Sequence, residues 1–172
     1  MKRHIVLVGL PGSGKTTVGQ LVAQRLQAGF VDIDAILTRR EGKPITLIFA
    51  EKGEAAFREM ERKEMETALG NDAAVIAPGG GWAAQPGAVD GAKSRALLIY
   101  LYARAETAAQ RVAPEGTRPL LIGEDPVTRM RLLLKEREPF YRAAHAQVDA
   151  DRMSASQVAN EVFRLAQSSA GW

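Results

Sequence analysis

The stretch Gly9-Leu10-Pro11-Gly12-Ser13-Gly14-Lys15-Thr16 decides the fold. It fits G-x-x-x-x-G-K-[ST] at every required position, and its setting fits as well. The apolar run Ile5–Val8 before it reads as a strand, and Thr16–Leu26 after it, with Val18, Leu21, Val22 and Leu26 near helical spacing, reads as a helix. The residue types follow from the chemistry. Glycines let backbone N–H groups turn inward around phosphate oxygens, and the helix N-terminus adds partial positive charge. Lys15 reaches the β- and γ-phosphates and the Thr16 hydroxyl is a Mg²⁺ ligand. Gly12, Ser13, Gly14, Lys15, Thr16 and Thr17 are therefore the candidate nucleotide site. The loop specifies a nucleoside triphosphate and leaves the acceptor open.

Outward from this loop the chain reads as alternating strands and helices. Further apolar runs at Phe30–Ile33, Ala73–Ala77, Ala96–Tyr102 and, more weakly, Ala146–Val148 predict strands. Between them, Glu54–Leu69 is a charged helix with Phe57, Met60, Met65 and Leu69 as its apolar members. Asp125-Pro126 opens a helix running to about Ala143, with Asp as N-cap and Pro at the first helical position, and Ser154–Leu165 predicts a last helix. This alternation implies an α/β fold with a parallel sheet covered on both faces. The segment 113–125, holding Pro114, Gly116, Pro119 and Gly123 with little periodicity, is the expected mobile lid.

The 172 residues suffice for a single domain, expected to span 1–172. Hydrophobic residues at 46% and charged residues at 25% are ordinary for a globular protein. The absence of cysteine excludes disulfides and thiolate metal sites, and two histidines, His4 and His145, are too few for a histidine-built zinc site. The net charge is only +3, and the run Glu59 to Glu66 mixes both signs as a solvated helix surface does, so no nucleic-acid stripe is expected. The apolar run after MKRH is too short for a signal peptide, and no stretch approaches the ~20 apolar residues of a membrane span. The expected location is the cytoplasm, with no membrane partner.

Ligands of open α/β sheets sit at strand C-termini, so acceptor residues are sought there. Asp32 and Asp34 end the second strand on one side of an extended chain. A carboxylate there can hold a Mg²⁺-bound water or orient an acceptor hydroxyl, or else cap the next helix. Gly79, Gly80 and Gly81 end the third strand, either as bare backbone near a ligand or as a flexible loop. Arg58 shares a helix face with Met65 and Leu69, and Arg137 follows Met130, Leu133 and Leu134 at helical spacings. An arginine on an apolar face needs a partner, either a structural carboxylate or a substrate carboxylate that its fork matches. Arg118, in the expected lid, is either solvated or closes on the transferring phosphate.

Taken together, Gly9–Thr16, Asp32-Ile33-Asp34, Phe57-Arg58, Gly79-Gly80-Gly81, Arg118-Pro119-Leu120-Leu121 and Arg137-Glu138-Pro139-Phe140-Tyr141 resemble the shikimate kinase family over roughly Ile5 to Phe163. The resemblance implies a three-layer P-loop fold, a five-stranded parallel sheet flanked by helices with a mobile lid. It implies transfer of phosphate from ATP to shikimate, with Mg²⁺, by a monomer. It gives Asp34 the acceptor hydroxyl, Arg58, Arg137 and the Gly79–Gly81 backbone the acid, and Asp32 the magnesium through water. Lys15 and Arg118 act on the transferring phosphate, Arg111 stacks on adenine, and Arg152 lies in the adenine loop. Two departures stand out: Ala77 where the family usually has Ser or Thr, and Trp82 after the glycine triplet, which either narrows the acceptor site or packs in the core. Trp172, the last residue of the sequence, is expected to be solvated. Rival readings are a related kinase acting on gluconate, a nucleoside monophosphate kinase, and a nucleotide-binding regulator of weak activity.

Overall fold

The computed structural model describes residues 1–112 and 125–172. Its strands are β1 (His4–Val8), β2 (Phe30–Asp32), β3 (Val75–Ala77), β4 (Ala96–Tyr102) and β5 (Ala146–Asp149). They form one sheet in the order β2-β3-β1-β4-β5, with every pair parallel. The described helices are α1 (Lys15–Leu26), α2 (Ile33–Glu41), α3 (Ile45–Lys52), α4 (Glu54–Gly70), α5 (Ala88–Ala92), α6 (Ala105–Val112), α7 (Pro126–Tyr141) and α8 (Ala155–Ser169).

Strand alternation divides the core in two. Ile5, Leu7, Leu97, Ile99 and Leu101 face a cluster completed by α1 and α8, through residues such as Val18, Val22, Val158 and Val162. Val6, Val8, Leu98 and Tyr100 face the opposite cluster, which draws on α2 to α7 through Leu37, Ile48, Met65, Val89, Ala108 and Met130. The result is three layers, as the strand–helix alternation implies. The helix after β1 thus covers one face and the helix after β3 the other, although β1 and β3 are neighbours. A crevice opens where adjacent strands send their chains to opposite faces, so the loops after β1 and β3 face each other across it.

Local signals set the ends of the late helices. The Asp125 carboxylate accepts from the Thr128 N–H at 3.1 Å and caps α7. Ser154 and Gln157 close a capping box on α8. Four helices lie beyond the sequence expectation: α2, α3, α5 and α6. They are short, and their apolar faces are too brief to show a period. The second strand also ends earlier than expected, because Asp32, still extended, caps α2, its Oδ1 accepting from the Ala35 N–H at 3.1 Å, and Ile33 already begins the helix. The expected placement of Asp32 and Asp34 side by side on an extended chain is therefore corrected: Asp34 sits in the first turn of α2.

Two further expectations fail on burial. The run Glu59 to Glu66 is not solvated throughout, since Glu61 and Glu64 are buried. Glu64 offsets its burial through an ion pair with Arg40 at 2.7 Å. Trp172 is held rather than solvated: its Nε1 donates to the Arg3 carbonyl at 2.9 Å, and Lys2 Nζ lies 4.6 Å from the ring centroid.

Candidate active site

A cleft of about 360 Å³ lies at the C-terminal ends of β1, β2 and β3. On its nucleotide side, Gly12 and Gly14 take φ values of +80° and +98°, conformations that fold the loop ahead of α1. Lys15 Nζ donates to the carbonyls of Gly9 at 2.8 Å and Leu10 at 2.9 Å, so the lysine is held over the loop it serves. Thr16 Oγ1 donates to Asp32 Oδ2 at 3.0 Å. Asp32 therefore does two jobs at once, capping α2 with one oxygen and facing Thr16 with the other. Thr17 and Arg111 also line the cleft. Arg111 reaches the Gly12 carbonyl at 3.3 Å and the Ala150 carbonyl at 3.1 Å, tying the phosphate loop to the end of β5. Ser13 is buried in the loop. Arg152 is exposed and does not line the cleft, although its backbone N–H donates to Asp149 Oδ1 at 3.3 Å. Arg118 and nearly all of the expected lid lie outside the described residues.

On the acceptor side the glycine triplet is not a loose loop. None of Gly79, Gly80 and Gly81 has a left-handed φ. Each is glycine because another side chain occupies the place of its Cβ. A Cβ on Gly79 would lie 2.6 Å from Glu61 Oε2 and 2.9 Å from Asp34 Oδ1. On Gly80 it would lie 2.9 Å from Pro11 Cδ and 3.1 Å from Arg137 Nη1, and on Gly81 2.4 Å from Arg58 Nη2. The triplet is thus the surface on which Asp34 from α2, Arg58 and Glu61 from α4, and Arg137 from α7 converge.

These groups carry an unusual charge balance. Arg58 Nη1 donates to Glu61 Oε1 at 2.9 Å, and its guanidinium lies 5.7 Å and 5.4 Å from the ring centroids of Phe49 and Phe57. A structural carboxylate partner for Arg58 therefore exists. Glu61 is fully buried, and its other oxygen, Oε2, has no hydrogen-bond partner among the described residues. Burial pushes the Glu61 carboxyl above the usual carboxylate range, and Asp34 adds to this, while Arg58 and Arg137 pull it down. Arg137 is only 8% exposed; it acts on Glu61 electrostatically, but among the described residues no carboxylate forms an ion pair with it. A buried cation without an ion partner is costly, and an arriving carboxylate relieves that cost. Two arginine forks and a neighbouring carboxylate, Asp34, can bind a small hydroxy acid and orient its hydroxyl toward the phosphate loop.

Glu61, Phe49 and Tyr141 escaped the sequence reading as site residues. The available signal for Glu61 was its position three residues after Arg58 on α4, where an ion pair forms. Ala77 ends β3 at the edge of the cleft, with no hydroxyl to offer. Trp82 is buried in the core cluster and also lines, with Arg58, a second cavity of about 700 Å³, so its core packing does not remove it from the acceptor side. Its N–H donates to the Gly79 carbonyl at 3.1 Å and closes the turn that carries the triplet.

The comparisons with known proteins agree with this geometry. The family model for shikimate kinase matches residues 11–167. A shikimate kinase of Symbiobacterium thermophilum is 41% identical over 167 residues, covering 95% of this chain and 96% of that protein. The solved structure of a shikimate kinase from Acinetobacter baumannii in complex with shikimate superposes with a TM-score of 0.92 at 36% identity, covering 98% of this chain and 94% of that one. A gluconokinase from Sinorhizobium meliloti, at 20% identity and a TM-score of 0.62, shares the fold alone. The chain belongs to the shikimate kinase family.

Proposed function

We propose that this protein transfers the γ-phosphate of ATP to the 3-hydroxyl of shikimate, giving ADP and shikimate 3-phosphate. The observation that carries the acceptor assignment is Arg137, a buried arginine with no ion partner among the described residues, set against Gly80 and facing the same triplet as Arg58. A carboxylate between the two arginines places the acid's hydroxyls toward Asp34. Asp34 orients the attacking hydroxyl and takes up its proton as the oxygen–phosphorus bond forms and the bond to the β–γ bridging oxygen breaks. Lys15 exchanges its two loop carbonyls for phosphate oxygens and balances their charge. By resemblance to the family, Arg111 stacks on the adenine base, Arg118 acts on the transferring phosphate and Arg152 belongs to the adenine loop.

The residues fit Mg²⁺. The Thr16 hydroxyl and Asp32 carboxylate, 3.0 Å apart in the cleft, are hard oxygen donors. Among the described residues no group of three or more acidic or histidine side chains could cage a metal alone. That suits an ion held by one or two protein oxygens together with phosphates and water. When bound, Mg²⁺ neutralises charge on the phosphate oxygens. The proposal extends to a single kinase domain working as a monomer in the cytoplasm. Among the described residues no helix is long and apolar enough to cross a membrane.

The test is a coupled ADP-release assay with ATP and Mg²⁺, offering shikimate, gluconate and nucleoside monophosphates as rival acceptors. Release stimulated by shikimate is expected. Release stimulated only by gluconate or a monophosphate overturns the proposal.

A further inference from the structure

Tyr141 ends α7 fully buried, four residues after Arg137 and beside the glycine triplet. Its hydroxyl donates to the Gly80 carbonyl at 2.5 Å, and the Arg137 guanidinium is near enough to act on it electrostatically. Its ring packs on Tyr100 at 5.2 Å between centroids, and the Tyr100 hydroxyl donates to Glu138 Oε2 at 2.8 Å. A buried hydroxyl committed to one acceptor has a fixed direction. The Gly80 carbonyl and the Gly81 N–H belong to one planar peptide, so anchoring the oxygen aims the N–H the opposite way.

We propose that Tyr141 is a positioning residue for the acceptor, its hydroxyl anchoring the Gly80–Gly81 peptide beside the Arg137 guanidinium. The inference rests on the assignment of this pocket to shikimate. Tyr141 makes no contact with the reacting atoms; it acts through two groups that bind the acid. Only a tyrosine meets the demand. Phenylalanine keeps the ring and the stack but leaves the buried Gly80 oxygen without the tyrosine's donor and the neighbouring Arg137 without its phenol dipole. Burial pushes the Tyr141 phenol up to about 12 although Arg137 opposes the shift, so the hydroxyl keeps its proton and its donor bond across the working range.

The test compares Tyr141→Phe with Tyr100→Phe, which removes a hydroxyl from the same aromatic stack without touching Gly80. Tyr141→Phe is expected to raise the shikimate KM on the order of 10-fold and to leave the ATP Kd unchanged. Tyr100→Phe should leave both unchanged. In an Arg137→Lys background the Tyr141→Phe effect should shrink, because the two residues act as one unit. An unchanged shikimate KM in Tyr141→Phe, an equal rise in Tyr100→Phe, or full additivity with Arg137→Lys overturns the proposal. Should Tyr141→Phe fail to fold, ¹³Cζ-tyrosine labelling of the unmutated protein decides, since the chain has only three tyrosines. Saturating shikimate should move the Tyr141 signal, and a signal that stays fixed overturns the role. Unmutated protein that does not phosphorylate shikimate removes the assignment on which the proposal rests, whereas active enzyme with an indifferent Tyr141→Phe removes the proposal alone.

Discussion

Two glycine-rich segments face each other across the cleft, and they need glycine for different reasons. In the phosphate loop the need is conformational at every glycine, since Gly9, Gly12 and Gly14 all take positive φ, and Gly9 and Gly12 are crowded as well. Gly14 takes φ +98°, and a Cβ there would touch only Val18 Cγ2, at an ordinary 3.8 Å. In the triplet the need is for space. Gly81 has no left-handed φ, yet a Cβ would lie 2.4 Å from the Arg58 guanidinium. The phosphate loop combines a local conformation with close packing, since the carbonyls of Leu101 and Ala108 fill the places of the Gly9 and Gly12 Cβ atoms. The acceptor wall has no such conformational need and is glycine because α2, α4, α7 and Pro11 bring side chains against it.

The sharpest separation between the halves is expected in turnover. Asp34→Asn keeps the shape and removes the charge that orients and deprotonates the acceptor, and kcat should fall by ~10²–10⁴ with ATP binding retained. Lys15→Met should lower kcat by at least ~100-fold, the loss of one electrostatic stabiliser, and should also weaken nucleotide binding. The two variants share a large kcat loss and differ in the ATP dissociation constant. A variant of Asp34 that keeps more than about a tenth of its activity would reduce that residue to positioning.

Next in size is the effect expected at Arg58, whose partner is either the fold or the acid. Arg58 has a structural partner in Glu61 at 2.9 Å and also borders the triplet at Gly81. If the acid is its functional partner, Arg58→Ala lowers kcat/KM for shikimate by about 2–4 kcal/mol, with an unchanged ATP Kd. A salt bridge that serves only the fold gives the reverse, a lower melting temperature with normal kinetics. Steady-state kinetics and thermal melts on one preparation separate the two.

The glycines themselves give a direct and smaller test. Gly14→Ala forces a side-chain-bearing residue into a left-handed conformation at a cost of ~1–2 kcal/mol, which should appear in stability and in ATP affinity. Gly81→Ala has no backbone strain to bear. It displaces the end of Arg58, a side chain that can swing, so the shikimate KM should rise while the ATP Kd and melting temperature stay near their original values. The comparison breaks if Gly81→Ala melts early or Gly14→Ala binds ATP normally.

The same contrast explains what could be read from the sequence. The phosphate loop, both capped late helices and the alternating strands are local, and local patterns carry their own geometry. Asp34, Arg58, Gly79–Gly81 and Arg137 were nameable as candidates because each departs from its surroundings: a carboxylate pair, bare glycines, cations on apolar faces. Their convergence was not legible, because it depends on the crossing of three helices over the end of β3. Glu61 shows the limit most plainly. In sequence it is one of several glutamates on a charged helix, and its i,i+3 spacing from Arg58 does not set it apart from Glu59, which pairs with Arg62 at the same spacing on the surface. Burial alone makes it different, and burial is a property of the assembled fold.

That burial gives the smallest and most specific prediction. The folded protein holds the Glu61 proton to a higher pH than the unfolded chain does, chiefly because the carboxyl is desolvated. A folded-state value raised above the ordinary 4.5 means that the folded state binds more protons in the interval between the two values. The stabilising contribution is therefore complete below about 4.5 and is lost as pH rises through the raised folded value. Glu61→Gln keeps an acceptor for Arg58 Nη1 and abolishes the titration. His145 titrates with the opposite sign: burial, Arg3 and Lys93 lower it from 6.5, so its contribution is lost as pH falls below that value. That slope is common to both proteins and cancels in their difference. Melting temperatures measured across this interval should therefore show the unmutated protein losing ground to Glu61→Gln as pH rises from 4.5 toward neutrality. Saturating shikimate, which brings a second negative charge beside Arg58 and Arg137, should push the crossover to higher pH. Parallel curves would show that Glu61 is ionised throughout, held by Arg58 and Arg137, and that the acceptor wall is as settled in charge as the phosphate loop is in conformation.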